Sequence, residues 1–198
     1  MTIVDHLESF LGKVDKGWSD TDESDGLQIV SFPDSPDEGL ITFATLGLSQ
    51  HVLGIHGSKR VRQELVYVTY NSTSPEKVAS FLTSLGETIL KKHKALLRGE
   101  VVHLSGDTSS KMGFESVYCT IPVLFDDDFA TYHGTEPPTV LVWVFPLRQE
   151  ESDFISNHGW ENFEDMLEAQ NTDLLDLNRP RIEEFAVFQG ESKREPRN

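Results

Sequence analysis

The apolar run TVLVWVFPL, residues 139–147, constrains the fold of this chain more than any other feature of its sequence. Almost all of its side chains are apolar, and a strand of this kind is typical of a sheet centre that is buried on both faces. Such a sheet has to be covered on each side. We therefore expect helices to pack against both of its faces.

Other segments predict further strands of the same sheet. Residues 27–32 and 40–46 are apolar or β-branched runs, and the stretch PDSPDEG between them is typical of a turn, which favours an antiparallel pair. More strands are predicted at residues 62–70, 100–104 and 115–123. These segments alternate irregularly with helical ones, which favours a mixed sheet.

The clearest helix signal follows residue 73. Ser74, Pro75 and Glu76 combine a hydroxyl cap, a proline whose missing N–H is harmless there, and an acid near the positive end of the helix. The apolar residues that follow share one helix face, namely Val78, Leu82, Leu85 and Ile89. Shorter helices are predicted before Gly12 and on either side of Gly159.

The whole pattern predicts an α/β fold in which helices sandwich a mixed β-sheet. With 198 residues, of which 37% are hydrophobic, the chain favours one domain. We place this domain at residues 1–178, followed by a polar C-terminal tail at residues 179–198. Residues 50–60 contain two glycines, two histidines and two basic residues, and they predict an exposed loop.

The chain is strongly acidic, with 33 acidic residues against 17 lysines and arginines and a formal net charge of -16. Such a surface repels nucleic acid and anionic lipid, so neither is an expected partner. A field of this sign would speed association with a basic protein. Good solvation without any basic partner is the alternative explanation of the same charge.

Cysteine usage and the N-terminus favour the cytoplasm. Cys119 is the one cysteine of the sequence, which excludes an internal disulfide and a cysteine-rich zinc site. The N-terminal segment has Asp5 and Glu8 among its apolar residues, unlike a signal peptide. No apolar run approaches the ~20 residues of a membrane span. We therefore expect a soluble, cytoplasmic protein.

The sequence contains no metal or cofactor motif. Asp126, Asp127 and Asp128 could supply oxygen ligands to a divalent cation, but three consecutive carboxylates cannot all point inward and the spacing of a calcium loop is missing. The seven histidines lack paired zinc-ligand spacing. The glycine patterns that bind dinucleotides or nucleotide phosphates are also missing. We predict no metal and no cofactor.

Two candidate nucleophiles have simpler interpretations. Ser105 and Asp107 lie near His103, but the motif GxSxG is absent, and a polar turn is the simpler interpretation. Cys119 lies within an apolar strand, where a thiol is usually a small buried hydrophobe. We therefore predict that the chain is not an enzyme. Catalysis by His103, Asp107 or the acids that begin at Asp126 is the alternative.

Several short blocks of the chain occur in the order that is typical of one family. They are FATLGLS at 43–49, RQELVYVTY at 62–70, a long helix from Pro75 towards Gly99, then VLVWVFPLRQEE, HGWENFEDMLE and DLNRPR. Over roughly residues 25 to 180 the chain resembles the suppressor of fused domain family, as a bacterial single-domain member. This resemblance implies a domain that binds other proteins and does not catalyse a reaction.

The resemblance also implies two kinds of partner. In the animal regulator that names the family, the domain packs beside a second domain, and both close on an extended Gli transcription-factor peptide that adds a strand. An acidic residue after a glycine helps to hold that peptide, and Gly99 with Glu100 resembles this place, with glutamate instead of aspartate. Bacterial single-domain relatives resemble immunity proteins, which bind and silence a toxin.

We therefore predict a protein-binding domain, first as an immunity protein that neutralises a cognate bacterial toxin, with a basic toxin domain as partner. The alternative is a cytosolic regulator or scaffold that binds an extended peptide by strand addition. The predicted partner-binding residues are Glu100, Asp126, Asp127 and Asp128, with residues 50–60 as a rim.

Overall fold

The structure is a computed structural model, and it describes residues 1–19, 26–176 and 179. The strands in this part of the chain are β1 (Lys16–Ser19), β2 (Gln28–Pro33), β3 (Leu40–Leu46), β4 (Leu53–Gly54), β5 (Arg60–Tyr70), β6 (Val101–His103), β7 (Ser116–Thr120), β8 (Thr131–Tyr132) and β9 (Thr139–Leu147). The α-helices are α1 (Ile3–Leu11), α2 (Pro75–Lys92), α3 (Gly106–Met112), α4 (Gln149–His158) and α5 (Trp160–Gln170).

All nine strands belong to one mixed sheet. Its main order is β1-β2-β3-β5-β9-β7-β6, while β4 pairs with β5 and β8 pairs with β9. The pairing of β5 with β9 is parallel, and the other pairings are antiparallel. The predicted fold class, a mixed sheet sandwiched by helices, is confirmed.

The register of the strands defines two ends of the sheet. Arg62 pairs with Thr139, and Thr120 pairs with Trp143, so β7 ends where β5 and β9 begin. β6 also begins at this end, because it runs antiparallel to β7, and β3 ends there because it runs antiparallel to β5. We call this end of the sheet the front end. The rear end is the opposite one, where the turn between β2 and β3 lies.

β9 separates two apolar cores. Val142 and Val144 belong to the core under α2, whereas Trp143 and Phe145 belong to the core that α1, α4 and α5 cover. Successive residues of a strand point to opposite faces, so β9 is buried on both sides, as the sequence predicts. The apolar face of α2 is buried too, with Val78, Leu82, Leu85 and Ile89 at most 3% exposed.

The helix boundaries also follow the sequence. Thr2 and Asp5 form a reciprocal capping box at the start of α1, and Gly12, with φ of 86°, ends that helix. Ser74 occupies the N-cap of α2 as predicted, but its hydroxyl donates to the Glu76 carboxylate at 3.0 Å and makes no hydrogen bond to the helix backbone. Gly159 separates α4 from α5.

Three expectations are corrected. Residues 50–60 are not an exposed loop throughout, because Leu53 is 0% exposed in β4 and fills the core under α2. Ser105, Gly106 and Asp107 do not form a polar turn, since Ser105 occupies the N-cap position of α3 and the helix begins at Gly106. The strand expected at residues 115–123 ends at Thr120. The short strands β1 and β8 escape prediction because four and two residues show no periodicity.

None of the helices in the described residues is both long and apolar enough to cross a membrane. The predicted C-terminal tail lies outside the described residues, except for Arg179.

Candidate functional site

The tertiary structure brings the sequence-predicted site residues to the front end of the sheet. Glu100 immediately precedes β6, and the segment from Asp126 to Asp128 lies in the connection between β7 and β8. Residues 50–60 lead into β5 at the same end. The sequence separates these segments by tens of residues, and antiparallel pairing of β6 with β7 places the start of β6, which follows Glu100, beside the end of β7, from which the connection with the aspartates leaves.

Glu100 is held in place by the chain itself. Its carboxylate forms an ion pair with Lys94 Nζ at 3.0 Å and accepts a hydrogen bond from the Leu97 N–H at 3.1 Å. Its backbone carbonyl accepts the Cys119 N–H at 3.0 Å. The Glu100 side chain is 27% exposed, so it closes the turn before β6 and still offers part of its carboxylate to a partner.

β6 offers an open edge to a further strand. Within the described part of the chain it pairs only with β7. The Glu100 carbonyl and the Leu104 N–H both bond towards β7, and alternate residues of a strand bond to the same side. Val101 and His103 therefore present their backbone groups outward. A groove of about 240 Å³ between α2 and β6 runs beside this edge.

The three aspartates stand in solvent on a firmly anchored turn. Asp126, Asp127 and Asp128 are all exposed, and a short 3₁₀-helix, Asp127–Ala130, carries the last two. The next residue, Phe129, is 0% exposed, and its carbonyl lies 3.0 Å from the His6 imidazole of α1. Burial of Phe129 thus fixes a turn that points three adjacent carboxylates outward.

The segment at residues 50–60 is tied to the body of the protein. The Arg62 guanidinium donates to the carbonyls of Ser49 and Gln50 at 2.8 and 2.9 Å. Gln50 and residues 56–60 are exposed, and the residues between them are buried or half-buried. Because this exposed part carries Lys59 and Arg60, its charge does not favour contact with a basic partner.

Glu64 of β5 is a buried carboxylate that the sequence analysis did not single out. It is 0% exposed, and it accepts hydrogen bonds from the Thr45 hydroxyl at 2.5 Å and the Gly47 N–H at 3.0 Å. The N–H and hydroxyl of Ser49 also donate to it, at 3.0 and 2.6 Å. Glu64 therefore fixes the turn that leaves β3 at the front end.

This network joins two of the blocks on which the family resemblance rests. FATLGLS contributes Thr45, Gly47 and Ser49, and RQELVYVTY contributes Glu64. Gly47 has φ of 105°, and an added Cβ would overlap the carbonyl of Gly26. The signal that could have identified Glu64 is a carboxylate within an otherwise apolar strand, where it needs several donors.

We expect folding stability to fall between about pH 5 and about pH 8 because of Glu64. Burial raises its pKa from 4.5 to about 7, although the four hydrogen bonds act in the opposite direction. A carboxyl group with a raised pKa in the folded state stabilises the fold fully below pH 4.5, and this contribution is lost as the pH rises through 7. The loss amounts to about 2–3 kcal/mol.

Urea unfolding of the wild type and of Glu64→Gln at both pH values measures this contribution as the difference between their pH dependences. The glutamine variant should show the shallower decline, since it has no proton to lose at this position. Equal declines in the two proteins would contradict the assignment of the pH dependence to Glu64.

Glu164 of α5 is a second functional candidate that sequence reasoning missed. Its carboxylate pairs with the Arg98 guanidinium and accepts from the hydroxyls of Tyr118 and Thr120 at 2.9 and 3.0 Å. Partial burial alone would raise the pKa of Glu164, but the hydrogen bonds from Arg98, Tyr118 and Thr120 outweigh it and lower the pKa. Glu164 thus links α5 to β7 at the front end.

Arg98 and Trp160 hold the backbone that leads into Glu100. The Arg98 guanidinium lies 5.0 Å from the centre of the Trp160 ring. Gly99 has φ of 85°, and a Cβ at this position would overlap the same ring. Only glycine therefore fits between Arg98 and Glu100, which explains the glycine in the Gly99–Glu100 pair that the resemblance singles out.

The candidates for catalysis and metal binding are not brought together. Cys119 is 0% exposed, and burial raises the pKa of its thiol, as expected for a small buried hydrophobe. His103 lies at the edge of the sheet, while Asp107 lies in the first turn of α3. No group of three histidine, cysteine or carboxylate side chains is arranged to hold a metal ion in the part of the chain that the structure describes.

Known proteins match the chain over most of its length. The family described as suppressor of fused protein (SUFU) matches residues 23–180. Immunity protein YqcF of Bacillus subtilis (strain 168) is 22% identical over 173 residues, which cover 86% of this chain and 88% of that protein. The resemblance inferred from the sequence blocks is thereby confirmed.

Solved structures share the fold. A suppressor of fused homologue from Neisseria gonorrhoeae FA 1090 has a TM-score of 0.71 at 18% identity, covering 91% of this chain and 94% of that chain. A chain of the Sufu–Fu complex has a TM-score of 0.69 at 13% identity, with coverages of 99% and 97%. Drosophila suppressor of fused has a TM-score of 0.68 at 14% identity, and the match spans 95% of this chain but 51% of that one.

Proposed function

The chain belongs to the suppressor of fused family, and we propose that it is a non-catalytic protein-binding domain, an immunity protein that binds and neutralises a cognate bacterial toxin. The name of its Bacillus subtilis relative supports this function. The observation that carries the proposal is the front end itself, where Asp126, Asp127 and Asp128 project into solvent from an anchored turn.

The charge suits a basic toxin domain. A toxin that acts on nucleic acid needs a basic groove for phosphates, and an acidic protein that occupies this groove excludes the substrate. The net charge of -16 adds long-range attraction that speeds the encounter. Glu100 is available at the same end of the sheet as a second acidic contact, partly neutralised by Lys94.

In this proposal the protein acts in the cytoplasm by stoichiometric binding of its partner. It uses no cofactor or metal, and it binds neither nucleic acid nor a membrane. Its binding unit is the one domain predicted at residues 1–178, to which Arg179 is joined by a buried ion pair with Glu151. The expected partner is a toxin encoded beside the gene of this chain.

We expect loss of the three front-end carboxylates to slow toxin binding. Combined Asp126→Asn, Asp127→Asn and Asp128→Asn replacement should lower the association rate about tenfold at ~50 mM NaCl and much less at ~0.5 M, where salt screens the field. The matched control, Asp37→Asn with Glu38→Gln and Glu87→Gln, removes the same charge from exposed positions at the rear end and on α2. It should change the rate less than about threefold.

Association kinetics with the purified toxin, and growth of cells that express the toxin with each variant, measure these effects. Equal effects of the two triple variants, or toxin binding that ignores ionic strength, would contradict the proposed role of the front-end aspartates. Absence of any toxin binding by the wild type would remove the immunity function.

Peptide capture by strand addition is the second candidate function, and the open edge of β6 favours it. His103→Pro removes an outward N–H from this edge without changing a side chain that packs in the core. Partner binding that is insensitive to salt but lost in His103→Pro and Glu100→Arg would support the scaffold function over immunity.

A further inference from the structure

A groove of about 470 Å³ lies beside the proposed acidic contact at the front end. Tyr118 and Thr120 of β7 and Trp143 of β9 form part of its lining, and Glu164 and Glu168 of α5 line it from the helix side. Val123, in the connection that carries the three aspartates, also lines it. The groove is therefore continuous with the segment that the proposed function uses.

Exposed apolar side chains concentrate beside this groove. Ile121, Val123 and Leu124 are 44%, 62% and 37% exposed. They are three of the five large hydrophobic side chains that are exposed among the described residues. Single exposed apolar residues are ordinary, but a cluster next to a groove marks a binding surface.

The Trp143 ring forms part of the floor of the groove. Trp143 is 2% exposed, and its indole N–H has no hydrogen-bond partner in the described part of the chain. The indole nitrogen itself is covered, so the ring is the part of Trp143 that a bound segment can contact.

The acidic side chains around the groove favour a partner segment that carries basic residues. Glu161, Glu164 and Glu168 follow one face of α5, because they are three and four residues apart. Arg98 is the cation of the groove lining, and Glu164 already pairs with it. The remaining acidic side chains favour basic groups at the rim of an otherwise apolar groove.

We propose that this groove anchors the protein partner by taking an apolar side chain that is flanked by lysine or arginine in an extended segment. The apolar side chain packs against Val123 and the Trp143 ring. The inference rests on the proposed protein-binding function, and it identifies the groove as the place where the bound partner is anchored. Interfaces gain most of their affinity from such buried centres, whereas rim charges mainly raise association rates.

The test uses the full-length chain, labelled with ¹⁵N, and two blocked peptides, Lys-Leu-Val-Lys-Arg and Lys-Gly-Ser-Lys-Arg. The first should bind with a Kd in the millimolar range and shift the indole N–H signal of Trp143, while that of Trp18 stays unchanged as an internal reference. The second peptide has the same charge and should leave the Trp143 signal in place. An equal response to both peptides, or no response of Trp143, overturns the proposal.

Variants on one helix provide the matched control. Glu168→Arg and Asp165→Arg both reverse an exposed acid of α5, but only Glu168 lines the groove. Glu168→Arg and Val123→Ser should each raise the Kd of the apolar peptide about tenfold, whereas Asp165→Arg should change it less than about threefold. Similar effects of Glu168→Arg and Asp165→Arg would overturn the assignment to the groove.

The same variants separate this inference from the proposed function. With the toxin as partner, Val123→Ser should speed dissociation, whereas the front-end aspartate variant slows association. If the toxin dissociates from Val123→Ser and Glu168→Arg as from the wild type, the groove is not the anchor and the immunity function stands. If no toxin binds but the peptide response is as expected, the groove stands and the immunity function fails.

Discussion

Replacement of Glu64 by leucine is expected to lower the free energy of unfolding by about 4 kcal/mol. The leucine would leave four buried donors without their acceptor, namely the Thr45 hydroxyl, the Gly47 N–H, and the N–H and hydroxyl of Ser49. Each buried donor that loses its partner costs about 1–3 kcal/mol, partly offset by the apolar side chain in their place. A domain with about 5–15 kcal/mol of total stability would be close to unfolding.

Urea unfolding of purified protein measures this loss, with Glu64→Gln as the control. The glutamine keeps a carbonyl oxygen for Gly47 and Ser49, so its loss should be about 2 kcal/mol smaller. A leucine variant that loses less than about 1 kcal/mol would show that the network is not a structural requirement. Because the network holds the turn after β3, the leucine variant should also expose residues 47–50 to amide hydrogen exchange.

Replacement of Arg179 by methionine is expected to lower the free energy of unfolding by about 3–5 kcal/mol. Arg179 and Glu151 of α4 are 2% and 1% exposed, and the guanidinium contacts the carboxylate at 2.6 and 3.2 Å. Arg179 also donates to the Pro146 carbonyl at 3.0 Å. Its removal would leave an uncompensated buried charge on Glu151.

A second variant distinguishes a buried-charge effect from lost packing. Arg179→Met combined with Glu151→Met removes both charges and should recover more than half of the loss, because apolar side chains of similar size often replace a buried ion pair at little cost. Thermal unfolding of the wild type and of both variants measures the recovery. If the double variant is less stable than Arg179→Met alone, the loss comes from contacts other than the ion pair.

Several elements at the front end contribute different groups to the proposed binding surface. Asp126 to Asp128 supply exposed charge, the edge of β6 supplies backbone donors and acceptors, and the groove beside Trp143 supplies an apolar anchor. Glu164 ties α5 to the end of β7, from which the connection with the aspartates leaves, whereas Glu64 fixes the turn after β3. Variants of Glu164 should therefore change stability as well as binding.

Much of the secondary structure was predictable because its signals are local. The run at Thr139–Leu147 indicates a strand buried on both faces, and the proline and acid after Ser74 indicate the start of α2. The burial of Leu53 was not predictable, since its short apolar stretch is interrupted by Gly54 and flanked by histidines and further polar residues. α3 was not predictable either. Its sequence, GDTSSKM, shows no apolar periodicity from which a helix could be predicted, and none of its residues is buried.

The candidate functional residues divide in the same way between those predictable from the sequence and those that were not. Exposed acids such as Asp126 could be named from the sequence, because net charge and loop position are visible there. Glu64, Glu164 and Arg179 could not be assigned, because their roles depend on partners that are up to 66 residues away in the chain. A charged residue in an apolar block indicates burial, but its partner is decided only by packing.

The sequence by itself determined the family, the α/β class and the acidic character of this protein, since these depend on local patterns and composition. Only the tertiary structure decided the strand order, the open edge of β6, and the groove that Val123 and Trp143 line. The physical reason is that apolar periodicity specifies which face of an element is buried, but not which element covers it. That choice depends on side chains that meet only when the sheet and its helices pack together.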